Sequence, residues 1–324
     1  MTKKPKFSII IPVKEINDYI RNYTVRILEQ TYQNFEIIII PNESPIDKFK
    51  MNKTRIIKTG NVGPAQKRDI GAKHARGEIL AFIDDDAYPE KDWLKNALKV
   101  LKIENVGAVG GPQFTPIESN FFQMLSGYVL ASPIVSGPES KRYIKGKLTE
   151  YYDLPSCNLF VKKEVFKRVG GFNTSFWPGE DTKLCLDIKK TGKKILYDPK
   201  IGVYHHRRRT FKGYIKQIFS YATHRGYFMK KYPETSLKIR YLIPSLFLIG
   251  LIGGFFASRE SQIIRTAYLA VLTIYIALLI IQSLKPKKLS LIIPFIGLSF
   301  ITHTTYGIGI IRGLLKRKLK TKLR

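Results

Sequence analysis

Nineteen consecutive residues without a charge, Thr266–Leu284, constrain this chain more than any other part of its sequence. A run of that length matches the hydrocarbon thickness of a bilayer, where every backbone polar group must be satisfied inside the segment. It reads as a membrane-crossing helix. Two further apolar stretches flank it. Tyr241–Ala257 is short and carries Gly250, Gly253 and Gly254, whereas Leu289–Ile311 is long enough but contains Thr302-His303-Thr304-Thr305. The sequence thus predicts a membrane region over 241–324 with two or three hydrophobic segments and a basic tail.

The rest of the 324 residues leave room for one large domain ahead of that region. Charge is lopsided, with 55 Lys+Arg against 25 Asp+Glu. Solvated helix faces account for part of the excess. The remainder fits phosphate-bearing ligands and an anionic membrane surface better than a nucleic acid, for which no recognised motif occurs. Cys157 and Cys185 lack metal-ligand spacing and read as reduced core residues. After the basic Met1–Lys6, the apolar run Phe7–Val13 is too short for a signal core and has no small-residue cleavage site. A buried strand and a cytoplasmic N-terminal domain are the expectation.

Short apolar runs then alternate with helical stretches. Phe7–Val13, Phe35–Ile40, Arg55–Lys58, Ile79–Ile83 and Val106–Val109 read as strands, as do Leu159–Val161 and Ile195–Tyr197. Residues 16–31, 63–76, Trp93–Lys102 and 181–190 read as helices, with Pro64 in a first turn and Gly77 just past an end. This alternation predicts an α/β fold with a mainly parallel sheet covered on both faces, and ligands at the carboxyl ends of its strands. Between 118 and 150 the pattern breaks into an excursion. From Phe211, apolar and aromatic residues recur at helical spacing beside Lys212 and Lys216. That helix suits either an in-plane membrane interface or packing on the catalytic domain.

Chemistry concentrates where the fourth strand runs into Asp84-Asp85-Asp86. Three adjacent carboxylates repel one another and need a counter-charge, which a divalent cation bridging to a diphosphate would supply. An exposed acidic turn reads the same way in isolation. Glu180-Asp181 is either an acid pair with a catalytic task or a helix N-terminus favouring the dipole. His205-His206-Arg207-Arg208-Arg209 is either a phosphate-facing cluster or a solvated basic turn.

An ordered set of segments decides among these. It comprises Ser8–Lys14, Gln30–Ile38, Gly63-Pro64-Ala65 with Lys67-Arg68-Asp69-Ile70-Gly71, Gly77–Asp86, Asn158, Gly170-Gly171-Phe172-Asn173, Gly179-Glu180-Asp181 and Tyr204-His205. From Phe7 to about Arg209 the chain resembles family-2 glycosyltransferases of the GT-A fold. The resemblance implies a GT-A domain at 1–210, and the helical spacing and apolar runs add an amphipathic linker at 211–240 and the membrane region at 241–324. It implies a nucleotide-sugar donor, UDP- or GDP-linked, and a divalent metal, Mg2+ or Mn2+. Asp84 and Asp86 match the acids of the family's DxD motif, with Asp85 between them, and His205 matches a metal or diphosphate ligand. Pro12 and Val13 match the nucleoside loop, and Arg68 a cation near the donor. Asp181 matches the general base, with Glu180 beside it.

Two departures qualify this. The family's base-reading Asp turn is here Pro41-Asn42-Glu43-Ser44, so Asn42 or Glu43 is expected to accept from the base. The Gln-x-x-Arg-Trp motif of processive synthases is missing, which favours single transfer. His303–Gly309 with Gly313 more loosely resembles the last segment of membrane-attached members acting on lipid-linked saccharides. Lys285, Lys287 and Lys288, and the tail residues Lys316, Arg317, Lys318, Lys320, Lys322 and Arg324, favour the cytoplasmic side. The third segment would then lie in the interface or re-enter, with its helix broken at the polar cluster.

Overall fold

Isoleucine-rich strands that are buried at every position must be covered on both faces, and the first half of the chain is built around that requirement. A computed structural model describes residues 4–45, 49–286 and 288–319. Of the charges placed at the membrane above, Lys287, Lys320, Lys322 and Arg324 lie outside the described residues, as do Met1–Lys3 of the N-terminal basic stretch. The chain divides into two compact units. One holds the residues up to Phe114 together with Ile144–His206, and the other Thr115–Tyr143 with Arg207–Leu319.

The first unit contains the strands β1 (Phe7–Pro12), β2 (Phe35–Ile40), β3 (Thr54–Ile56), β4 (Ile79–Ile83), β5 (Ala87–Pro89), β6 (Val106–Gly110), β7 (Gln113–Phe114), β8 (Thr149–Glu150), β9 (Asn158–Lys162), β10 (Lys194–Tyr197) and β11 (Val203–His205). Eight form one mixed sheet in the order β3-β2-β1-β4-β9-β6-β10-β8; β5-β11-β7 form a second, small one. Pairing is parallel from β3 to β4 and between β6 and β10, while β9 and β8 run antiparallel to their neighbours. Alternate residues of the central strands feed two cores: Ile9, Ile11, Ile37, Ile39 and Ala81 on one face, and Ile10, Ile38, Ile40, Leu80 and Phe82 on the other. Helices Pro64–His74, Trp93–Leu101 and Glu180–Lys190 stand close to their expected bounds.

The helix expected over 16–31 is a correction. A single turn of helix, Asp18–Asn22, is followed by a 3-10 helix, Thr24–Glu29. Thr24, Ile27 and Gln30 are the buried positions, a spacing of three that suits three residues per turn.

In the second unit, helix Phe211–Lys231 buries Tyr214, Ile218, Ala222 and Phe228 while Phe211 and Tyr221 stay exposed. Among the described residues, three helices are long and apolar enough to cross a membrane: Ile239–Ala257, Gln262–Ser283 and the stretch Leu289–Leu315. Most side chains of the first two point outward, among them Ile249, Ile263 and Ile274. The third runs as one unbroken helix over Ile292–Leu315, against the expected break. Its polar cluster is satisfied by packing: Thr302 shares a hydrogen bond with the Tyr214 hydroxyl (2.9 Å), and His303 Nδ1 lies 2.8 Å from the Tyr275 hydroxyl.

Glycines let this helix close on its neighbours. A Cβ on Gly313 would sit 2.2 Å from Thr223 O, and one on Gly309 2.5 Å from Ala222 Cβ. Gly313→Val is therefore expected to destabilise the unit by about 1–3 kcal/mol. Gly297→Ala, which meets nothing within 4 Å, serves as the control. Thermal unfolding in detergent reads the difference, and equal midpoints for the two variants would reject the close packing.

Candidate active site

β4 carries only buried apolar side chains until it ends, and the next three residues are Asp84, Asp85 and Asp86. Chain direction and parallel pairing place the ends of β1 and β2 beside them, so Val13 and Asn42 share that edge of the sheet. From the other side, β11 pairs antiparallel with β5, setting His205 opposite Ala87, while His206 N donates to Asp86 O at 3.0 Å. Asp84, Asp86 and His205 offer ligand atoms all within 4.8 Å of one another. His205 Nε2 is 3.0 Å from Asp86 Oδ1, and its Nδ1 is buried with no hydrogen-bond partner among the described residues. Two carboxylates and an imidazole left half-satisfied suit a divalent cation of the Mg2+ or Mn2+ kind.

Helix Pro64–His74 supplies the balancing cations. Arg68 is 2% exposed and donates to Asp84 Oδ1 at 2.6 Å and to Glu180 Oε1 at 3.0 Å. One guanidinium thus ties the carboxylates after β4 to those opening the helix Glu180–Lys190. Lys67, equally buried, donates to Val13 O and to Asn42 Oδ1. Burial pushes its ammonium down to about 8, opposed by the Asp85 charge. Asp85 takes a hydrogen bond from Asn17 Nδ2, while burial and then the neighbouring Asp86 push its carboxyl up to about 7. Burial and Asp181 likewise push Glu180 up to about 7, against the pull of Arg68.

Asp181 is half-buried and held by main-chain amides, accepting from Thr182 N at 2.8 Å and Ser156 N at 3.3 Å. Gly179, at φ +108°, bends the chain into this helix in a region that favours glycine. Asp69, one residue past Arg68, accepts from Phe172 N and Asn173 N and so pins the Gly170–Asn173 turn.

The expected site residues therefore fall into three neighbouring groups. Asp84, Asp86 and His205 come together at the end of β4, Arg68 joins them to Glu180, and Pro12, Val13 and Asn42 line up with Lys67. Arg207 instead stacks on Tyr143 in the second unit and donates to Thr115 Oγ1. Sequence reasoning missed Lys67 and Asn17 as partners. It also missed an aromatic ladder that fixes the His205 strand, in which His206 packs on Tyr19 and Tyr23 at 4.9 and 4.7 Å, and Tyr88 stacks on Tyr23 and Tyr204. The tyrosines at 19 and 23, one helical turn apart, were the available signal.

Arg68→Met would strand Glu180 in the core, with an expected stability loss of about 3–5 kcal/mol. Adding Glu180→Gln should recover much of it. Trp93 and Trp177, the two tryptophans of the chain, both lie in this unit, so their fluorescence during denaturation reports it selectively. A double variant no more stable than Arg68→Met would contradict the pairing.

The model for Glycosyl transferase family 2 matches residues 8–170, half of the chain, and the chain belongs to that family. It is 26% identical, across 95% of its own length and 97% of the relative's, to a dolichyl N-acetyl-alpha-D-glucosaminyl phosphate 3-beta-D-2,3-diacetamido-2,3-dideoxy-beta-D-glucuronosyltransferase of Methanococcus voltae. A glucosyl-dolichyl phosphate glucuronosyltransferase of Haloferax volcanii is 25% identical over 55% of this chain, which spans 61% of that relative. Among solved structures, a mannosyltransferase of Pyrobaculum calidifontis in complex with GDP-Man and Mn2+ matches with a TM-score of 0.57 at 19% identity, covering 98% of this chain and 89% of that one. The fold is accordingly GT-A-like, and the protein is a glycosyltransferase.

Proposed function

We propose that this enzyme is an inverting, metal-dependent glycosyltransferase that moves one sugar from a nucleotide-sugar to a polyprenyl-linked saccharide at the membrane. The observation that carries the reading is the convergence of Asp84, Asp86 and His205 beside the Arg68 bridge to Glu180, the residue that precedes Asp181. The names of both curated relatives describe transfer to a sugar already joined to dolichyl phosphate, which supports the acceptor class.

In this reading Pro12, Val13 and Asn42 hold the nucleoside. Asn42 Oδ1 accepts from Lys67 and keeps a second lone pair for a base N–H, while its amide nitrogen can donate to a base carbonyl, which uracil and guanine both carry. Asp84, Asp86 and His205 would hold Mg2+ or Mn2+, and the bound cation would stabilise the departing diphosphate as a Lewis acid. Asp181 takes the acceptor hydroxyl proton as that oxygen bonds to the anomeric carbon and the bond to diphosphate breaks. A single displacement inverts the centre. Arg68 and Glu180 position both partners, and Asp85, tied to Asn17, backs the donor side.

The test is a donor screen with the full chain in detergent and a lipid extract, with products identified by mass. Sugar transfer that persists in excess chelator, or no transfer with any donor, would sink the proposal. For orientation, the catalytic unit is assigned to the cytoplasm and the short loop 258–261 to the far side. A cysteine placed at Glu260, in a Cys157→Ser, Cys185→Ser background, should label with an impermeant thiol reagent on intact cells. Labelling only after permeabilisation would reverse the assignment.

A further inference from the structure

At the end of the sheet opposite the three aspartates, the strands open on a cavity of about 1870 Å³. Phe35, Thr54 and Ile79 begin β2, β3 and β4 there, and Lys162 ends the antiparallel β9. Strands of this length put the cavity about 17–20 Å from the carboxylates.

Ten lysines and arginines line it, against three glutamates. Two of those glutamates are spent locally. Glu36 accepts from Ser8 Oγ, Arg76 N and Arg55 Nη2, and Glu78 pairs with Lys6 at 2.5 Å. Lys53 and Lys163 donate to main-chain carbonyls of Gln33 and Ala75, which carry only partial charge. Among the described residues, Lys102, Lys162 and Lys167 form no ion pair. Burial, followed by Lys167 and Lys4, pushes the Lys163 ammonium down, and burial does the same to Lys53. These cations crowd one another in a concave, partly desolvated space, an arrangement that an anionic occupant would relieve.

The shape and floor of the groove select the occupant. A flat bilayer cannot enter a concavity, and the volume exceeds the roughly 300–1,000 Å³ of small-molecule pockets. Phe49, Met51, Leu98 and Leu101 supply apolar floor between the cations. Aromatic surface for base stacking is scarce, because Phe35 is buried with Lys53 over its ring at 4.3 Å and Arg21 covers one face of Phe49 at 5.3 Å. An extended polypeptide with acidic and apolar side chains interspersed matches both features. We propose that this groove docks an acidic peptide segment of a partner protein, at the far end of the unit from the chemistry, so that the enzyme is held in place without obstructing its site.

Fluorescence anisotropy of the full chain in detergent, with a dye-labelled peptide alternating glutamate and leucine, tests this. Saturable binding is expected, weakening with salt and falling roughly tenfold or more in Lys102→Glu/Lys162→Glu/Lys167→Glu. Donor turnover and melting temperature should stay at wild-type values. If the triple variant unfolds, Lys167→Gln alone, at an exposed side chain, should still weaken binding about two- to fivefold. No saturable binding, or wild-type affinity in the variants, overturns the proposal. So does displacement of the peptide by a single-stranded oligonucleotide, by pyrophosphate or by anionic lipid in mixed micelles at lower concentration than by unlabelled peptide.

Discussion

Asp86→Ala is expected to abolish sugar transfer, with a loss of roughly 10³-fold or more, because in the proposed mechanism it holds the metal that supplies several kcal/mol of transition-state stabilisation. The same variant should lose metal-dependent donor binding yet unfold at the wild-type denaturant midpoint. Asp86 stands after the last buried residue of β4 and adds no apolar area to either core. His205 would lose the carboxylate 3.0 Å away, but the main-chain bond from His206 N to Asp86 O and the aromatic packing of His206 keep its strand in place. Isothermal titration of the donor with and without Mn2+, beside initial rates, gives the readout. Wild-type turnover in Asp86→Ala would remove the metal from the mechanism altogether.

Asp181→Asn separates proton transfer from binding. The amide is nearly isosteric, and its oxygen can still accept from Thr182 N or Ser156 N, so the loop should keep its form. What disappears is the capacity to take a proton, which costs about 10²–10⁴-fold in rate for a general base. Donor affinity should change little, because Arg68 reaches the donor side through Asp84, and neither that contact nor its bond to Glu180 involves Asp181. The decisive measurement is a single-turnover rate set against donor affinity. Collapse of donor binding with the chemical step intact would move Asp181 to the donor side of the site.

Much of the scaffold was legible because strand and helix periods are strong signals. Ile79–Ile83 and Phe35–Ile40 form strands at their expected bounds, and Trp93–Leu101 and Glu180–Lys190 fall within a residue. What escaped were pieces too short to carry a period. β5, β7 and β8 have only two or three residues each. The helix expected over 16–31 failed because a spacing of three was read as helical. In the site, charges and their order along the chain were visible. Pairwise partners were not, since Lys67 with Asn42 and Asn17 with Asp85 are joined only once β1, β2 and β4 lie side by side.

Asn158 has a consequence for how variants of this chain are interpreted. It stands in the ordered segments shared with the family, yet its side chain accepts from Trp93 Nε1 at 2.8 Å and donates to the carbonyls of Pro112 and Ile201, all within the buried interior. A screen scored on glycan product would therefore flag this position as strongly as Asp86 or Asp181. The cause would differ, because losing the pin between three distant segments depletes folded protein before any turnover is attempted. Measuring cellular abundance alongside product sorts the two cases, since Asp86 variants should accumulate normally and Asn158 variants should not.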